Sequence, residues 1–383
     1  MTDSVLATLT LGYRLLWNRR RELAGIELRV DAPAAATGVD ARHLLATLAE
    51  LWPVRAPQLL LSVQHPILLL DLLVHGRGDG PWIALTPEAA ADPVLRPRAL
   101  QAQARGLPLV WPGRPDVAPP QQGRPGLYRM EGSDAIGLLP PGQILLAPEQ
   151  QAQAAAALDQ RDAWAVAGWP VASTLQTLAA AARQPDRTAI SRAVRAIDTD
   201  ASWDRIEALL CADPVLSYRF LLQVNTAAGR QRGEIDTVQR GLQLWGLKHV
   251  QDWLLEQLAQ ASGEADLQAV RTGMAVRARL VEHLLDPGDE EDLRREVYLC
   301  GLYAELDRLL GEPLATLLGR LPLSQRILQS LLEGTGPYLP ALQLAQAVEA
   351  GDARGTRALS ESYGYAAEDV NRALLRTLAS LAT

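Results

Sequence analysis

Near residue 175 the period of the hydrophobic pattern changes, and this change restricts the architecture more than any other feature of the chain. Before it, short apolar runs bounded by Gly and Pro read as strands: "ELAGIELRV", "PQLLLSVQ", "WIALTP", "LPLVWPG", "GLYRMEG", "QILLAP" and "AWAVAG". Several are continuous rather than alternating, which suits strands buried on both faces of a largely parallel sheet. Helical patterns at Arg42 to Leu51, Pro93 to Ala104 and Glu149 to Leu158 lie between them, so an α/β domain is expected over residues 1–172. The six prolines between Pro108 and Gly126 make that stretch a loop. From about residue 175 to Ala382 apolar residues recur at three and four, and strand signals vanish. Residues 173–383 are therefore expected to form an all-α domain, a bundle of about eight to ten helices joined by short turns.

Within the helical half, "ADPVLSYRFLLQVNTAAGRQRGEIDTVQRGLQLWGLKHVQDW" carries unusually clear punctuation. Asp213-Pro214 starts a helix, because Asp accepts from a free backbone N–H and Pro at the first position loses none that was needed. Leu216, Phe220 and Val224 line one face at a spacing of four. The pattern breaks at Asn225 to Gly229 and restarts at Asp236 to Gln239, which reads as a capping box. Gly246 then reads as a helix stop.

Composition excludes several classes of function. A net charge of −7 argues against a protein whose main partner is a nucleic-acid backbone. No stretch approaches the roughly 20 apolar residues of a membrane span, and the N-terminus lacks the charge and apolar run of a signal peptide, so no membrane insertion and a cytoplasmic location are expected. Cys211 and Cys300 sit in apolar helical patterns, as buried reduced thiols do. Lys248 is the only lysine, and the Arg, Ala and Leu bias suggests a GC-rich bacterial coding sequence.

Metal-dependent hydrolysis on a helical bundle needs clustered His, Asp and Glu. The helical half has only His249 and His283, and neither is followed by Asp. The run Asp289 to Asp292 reads as a helix first turn, where carboxylates meet the positive dipole end. Arg19 to Arg21, between two strand-like segments, reads as a solvated turn. Phosphate-binding glycine loops, a Ser nucleophile elbow and Cys-x-x-Cys do not occur.

Residues 213 to 253 resemble the signature of HDOD domains: Asp-Pro opening a helix, Val-Asn before small residues, an Ile before a capped helix, and a Gly, here in Trp245-Gly246, before the next. The resemblance extends over roughly 175 to 383. It implies a helical relative of the HD phosphohydrolases without the metal ligands. Where those have a His-Asp pair, this chain has Ala304 and Glu305 in Gly301-Leu302-Tyr303-Ala304-Glu305. The first half more weakly resembles an EAL domain, the barrel that hydrolyses cyclic di-GMP. Gly25-Ile26-Glu27-Leu28 stands at the Glu-Ala-Leu signature, which would make Glu27 a former metal-ligand position. The Asn strand is similar to Leu61-Ser62-Val63, the Asp-Asp motif to "LVWPGRP" and the Lys strand to Tyr128-Arg129-Met130, each without the expected residue. A degenerate, incomplete EAL-like barrel is expected, since about 170 residues is short for eight strands and their helices.

The resulting expectation is a non-catalytic bacterial signalling protein, a degenerate EAL-like domain followed by an HDOD bundle acting as a protein-interaction or scaffold module, linked to cyclic di-GMP signalling. No catalytic residue, metal or cofactor is expected. Other signalling proteins are the expected partners, with weak cyclic di-GMP binding and a homodimer left open. A cyclic-di-nucleotide receptor without turnover is the alternative, and a phosphodiesterase comes behind it. Asn225, Arg230 and Arg232 are the candidate interaction residues, on a turn shaped by hydrogen bonds of the Asn225 side chain.

Overall fold

The computed structural model describes residues 4–33, 40–112, 126–128, 136–227 and 234–381. Contacts divide the chain into two compact units, Met1–Pro170 together with Gln343–Thr383, and Val171–Leu342. Among the described residues no helix is long and apolar enough to cross a membrane.

In the first unit the Gly- and Pro-bounded runs form strands: β1 (Thr10–Trp17), β2 (Leu23–Asp31), β3 (Gln58–Val63), β4 (Trp82–Ala84), β5 (Leu109–Val110), β6 (Leu127–Tyr128), β7 (Ile144–Leu146) and β8 (Ala165–Ala167). They make one sheet in the order β5-β4-β3-β2-β1-β8-β7-β6. β1 runs antiparallel to both neighbours, and the other adjacent pairs are parallel. A bridge between Pro112 and Leu127, with Leu127 N–H donating to Trp111 O at 2.8 Å, joins the two edges at one rung, so the sheet is curled. Among the described residues the sheet has eight strands, and the unit is short because Gly and Pro cut β4 to β8 to two or three residues each.

Helices α1 (Ala41–Leu51), α2 (Pro66–His75), α3 (Pro87–Ala91), α4 (Leu95–Ala104) and α5 (Gln151–Asp159) connect the strands. α2 has no sequence period because it is apolar nearly all round, yet Pro66 at its first turn and His65 accepting from Leu68 N–H start it as a helix. Leu16, Leu60, Ala84, Val110, Ile144, Ala165 and Ala167 fill the concave side of the sheet. Leu145 and Val166 point the other way, onto Ala154, Ala157 and Leu158 of α5, as the two-residue period of strands requires. The turn between β1 and β2 is not the solvated one expected. Arg21 is buried at 5% exposure and its two Nη atoms hold the Asp159 carboxylate at 2.7 and 2.6 Å, while Arg19 and Arg20 are exposed.

The second unit is helical: α6 (Val171–Thr177), α7 (Ala179–Ala182), α8 (Arg187–Asp198), α9 (Trp203–Cys211), α10 (Pro214–Ala227), α11 (Val238–Leu258), α12 (Ala265–Leu285), α13 (Glu291–Tyr303), α14 (Leu306–Leu310), α15 (Leu314–Leu318) and α16 (Gln325–Leu328). Then come α17 (Leu339–Ala350), α18 (Ala353–Tyr363) and α19 (Ala367–Ala379). The helical segments outnumber the eight to ten expected, because Gly and Pro divide 304–338 into several of five residues or fewer. Asp213 caps α10 as read, Oδ1 accepting from Val215 N–H at 2.8 Å. The cap of α11 is Thr237 rather than Asp236: Thr237 Oγ1 accepts from Arg240 N–H, and Asp236 pairs with the Arg240 guanidinium instead. Gly246, at φ +74°, breaks the helical run where a stop was expected, and the chain resumes as helix at once. Phe220 packs edge-on to Trp245 and Trp253, at 5.9 and 5.4 Å between ring centroids.

Residues 343–383 differ from the expected split at 172/173, since they pack with the strands of the first unit. Asn371 on α19, 2% exposed, donates to Leu6 O and Leu9 O at 2.8 and 2.9 Å and accepts from Leu11 N–H at 3.1 Å. β8 pairs with β1 only at Leu16 and Trp17, and near the start of that β1 edge Asn371 takes up Leu11 N–H.

Candidate functional site

Glu27 lies in the middle of β2 on the concave side. Its register partners there are Arg14 on β1 and Leu60 on β3, and Ser62 and Ala84 follow on the same face. Glu27 is 3% exposed, and Arg14 Nη1 donates to its Oε2 at 2.9 Å. A carboxylate that deep requires a counter-charge, and Arg14 provides it within hydrogen-bond distance. The surrounding positions, Leu60, Ala84 and Val110, are aliphatic. They add no second carboxylate, and Ser62, 8% exposed, offers one hydroxyl. Divalent cations in such sites are held by several oxygens. A single carboxylate already bonded to a guanidinium does not fit that chemistry.

In the second unit Ala304 closes α13, and Glu305 begins the turn into α14. The Glu305 carboxylate accepts from Arg277 and Arg308, both at 2.8 Å. It is an ion-pair centre with an alanine beside it. Among the described residues no group of three or more His, Cys, Asp or Glu could hold a metal ion.

Asn225 lies three residues before Ala228, on the last turn of α10. Its Nδ2 donates to Leu221 O and Ile235 O, each at 2.8 Å, and its Oδ1 accepts from Ile235 N–H at 3.0 Å. The amide thus ties the end of α10 to a backbone ten residues on and fixes the two ends of the intervening segment. Arg230 and Arg232 lie outside the described residues, as does Arg129. Glu27 belongs to the first unit, and Asn225, Ala304 and Glu305 to the second.

Sequence reasoning singled out Asp213 as a cap but passed over the buried charges it meets, Arg271 and Asp186. Arg271 on α12, 2% exposed, donates from Nη1 to Asp186 Oδ2 at 3.4 Å and from Nη2 to Gln184 O, with Asp213 Oδ1 3.7 Å from its Nε. Asp213 Oδ2 in turn accepts from Asp186 N–H. Burial pushes the Asp186 carboxyl above its ordinary range, against the Ala189 N–H and the Arg271 charge that favour ionisation. This cluster joins the starts of α8 and α10 to α12. Arg14 was visible in sequence only as an interruption of an apolar run, although a charge in a buried strand signals a partner on the next strand.

Residues 185–310 match the HDOD domain family, and this part of the chain is an HDOD domain. A stretch of 176 residues, 46% of the chain, is 24% identical to the cyclic di-GMP phosphodiesterase CdgJ of Vibrio cholerae and spans 41% of that protein's length. The crystal structure of the MmoQ response regulator from Methylococcus capsulatus superposes on 50% of the chain and 97% of its own, with TM-score 0.41 and 20% identity.

Proposed function

We propose that the chain is a non-catalytic bacterial signalling protein in which an HDOD domain serves as an interaction module beside a degenerate EAL-like sheet. The observation that carries this reading is the Arg14–Glu27 pair. The carboxylate at the former ligand position is neutralised by a guanidinium at 2.9 Å and walled by aliphatic side chains. The HDOD match and the similarity to a Vibrio cholerae protein named for cyclic di-GMP support a signalling context. Ala304 and the paired Glu305 leave the HDOD part without the metal site of the HD hydrolases. Other signalling proteins are the partners, recognised at the Asn225-anchored segment.

The test is incubation of the full chain with cyclic di-GMP and Mg²⁺ or Mn²⁺, followed by chromatography of the products. No hydrolysis is expected. Metal-dependent turnover lost on Glu27→Ala overturns the reading, and tight calorimetric binding without turnover replaces it by the receptor alternative.

A further inference from the structure

In curled sheets of parallel strands, ligands enter where the strands end at their C-termini. In the first unit that end is marked by Arg29 on β2, Ser62 on β3 and Ala84 on β4, with Gly12 of β1 opposite Arg29. Gly12 shares its face of β1 with Arg14 and Leu16, and Leu16 belongs to the concave cluster, so a side chain at Gly12 would point into the mouth. That space is taken by the chain's own C-terminal segment. A Cβ on Gly12 would lie 3.0 Å from Gly351 Cα and 3.1 Å from Val348 O, both backbone atoms. Gly351 has φ +67°, and a Cβ there would fall on the Arg29 guanidinium. Arg29 Nη1 donates to Ala350 O at 3.4 Å. One turn on, Arg357 Nη1 donates to Asp31 Oδ1 at 2.7 Å and Thr10 Oγ1 at 3.2 Å, at the last residue of β2 and the first of β1. The space left between segment and strands, lined by Thr10, Gly12, Arg29, Gly351 and Thr356, is about 40 Å³. It holds a water molecule or two and excludes any metabolite.

We propose that residues 348–357 are a built-in closure of the β1–β2 side of this mouth, so that a small molecule reaches Glu27 and Ser62 only when the segment lifts. Two glycines, one on each side of the contact, let backbone meet backbone, and the Arg357–Asp31 pair latches it. The pair is partly exposed, at 34% and 33% side-chain exposure, and exposed pairs contribute little. The pair by itself therefore adds little to hold the segment shut. The inference rests on this geometry and holds whether or not the HDOD part recruits partners.

The experiment uses the full chain carrying Ser62→Cys, with iodoacetamide labelling of the introduced thiol followed by peptide mapping. A second variant adds Gly12→Val, which wedges the contact at Gly351 and Val348 O. Labelling is expected to be slow in the first variant and about tenfold or more faster in the second, with faster hydrogen exchange over 348–357 and unchanged protection of β2 and β3, as local opening requires. Should Gly12→Val fail to fold, Arg357→Ala takes its place with the same expectation. Fast labelling of Ser62→Cys alone overturns the proposal. So does freed exchange over 348–357 without faster labelling, since something else would then close the mouth, and so does the absence of change in both readouts.

Discussion

Replacing Asn371 by Leu removes three hydrogen bonds while keeping nearly the same side-chain volume. Leu6 O, Leu9 O and Leu11 N–H all lose their amide partner, and Leu6, Leu9 and Leu11 are 0–1% exposed, so water does not readily replace it. An unsatisfied buried polar group costs about 1–3 kcal/mol, so three together give about 3–6 kcal/mol once some relaxation of the β1 edge is allowed. Losses of that size are uncommon for a single substitution. Urea unfolding of the full chain, read by far-UV circular dichroism, measures the change. Hydrogen exchange over residues 4–12 and 367–379 shows whether the loss is local or global. A destabilisation below about 1 kcal/mol with exchange protection intact in both segments would refute the view that Asn371 satisfies these three backbone groups.

Asn225→Ala is expected to cost about 1–3 kcal/mol by leaving the Ile235 backbone groups unpaired, read by thermal unfolding. Burial raises the Glu296 carboxyl, but hydrogen bonds from Ser324, Arg326 and Tyr338 outweigh it and hold it below its ordinary value. Its contribution to stability is thus present above the unfolded value near pH ~4.3 and is lost as pH falls through the lower folded value. Glu296→Gln should accordingly flatten the acid limb of the stability profile, a change followed by urea midpoints over roughly pH 3 to 6, the carboxylate range. Burial pushes the Cys300 thiol up to about 12 and raises that of Cys211 too. With roughly one thiol in ten thousand ionised at Cys300 near pH 8, both cysteines should resist a chromogenic disulfide reagent until urea unfolds the chain.

Much of the first unit was legible because its strands are short apolar runs cut by Gly and Pro, and α10 was legible from Asp213-Pro214 and the four-residue spacing after it. The cap of α11 was misplaced by one residue because Asp236 and Thr237 are both good caps, and only the Arg240 side chain drawing off Asp236 decides between them. The return of residues 343–383 to the sheet left no local trace: an amphipathic helix has the same period whether it packs on helices or on strands. Pairings such as Arg21 with Asp159, 138 positions apart, depend on the closed fold and not on neighbours in sequence. Glu27 was singled out by a resemblance to a motif, but its pairing with Arg14 follows from the β1–β2 register, which the turn at Asn18 to Glu22 sets.

The hydrogen bonds of Asn371 also impose an order in time. Leu6 and Asn371 are 365 positions apart, and a ribosome adding roughly 5–20 residues per second needs about 20–70 s to travel between them. Throughout that interval the start of β1 has emerged without the side chain that takes up Leu11 N–H, while the whole helical insertion is made in between. Unpaired strand edges are sites of mispairing between chains. In a cell, the growing chain must keep that edge from its neighbours until the last forty or so residues arrive.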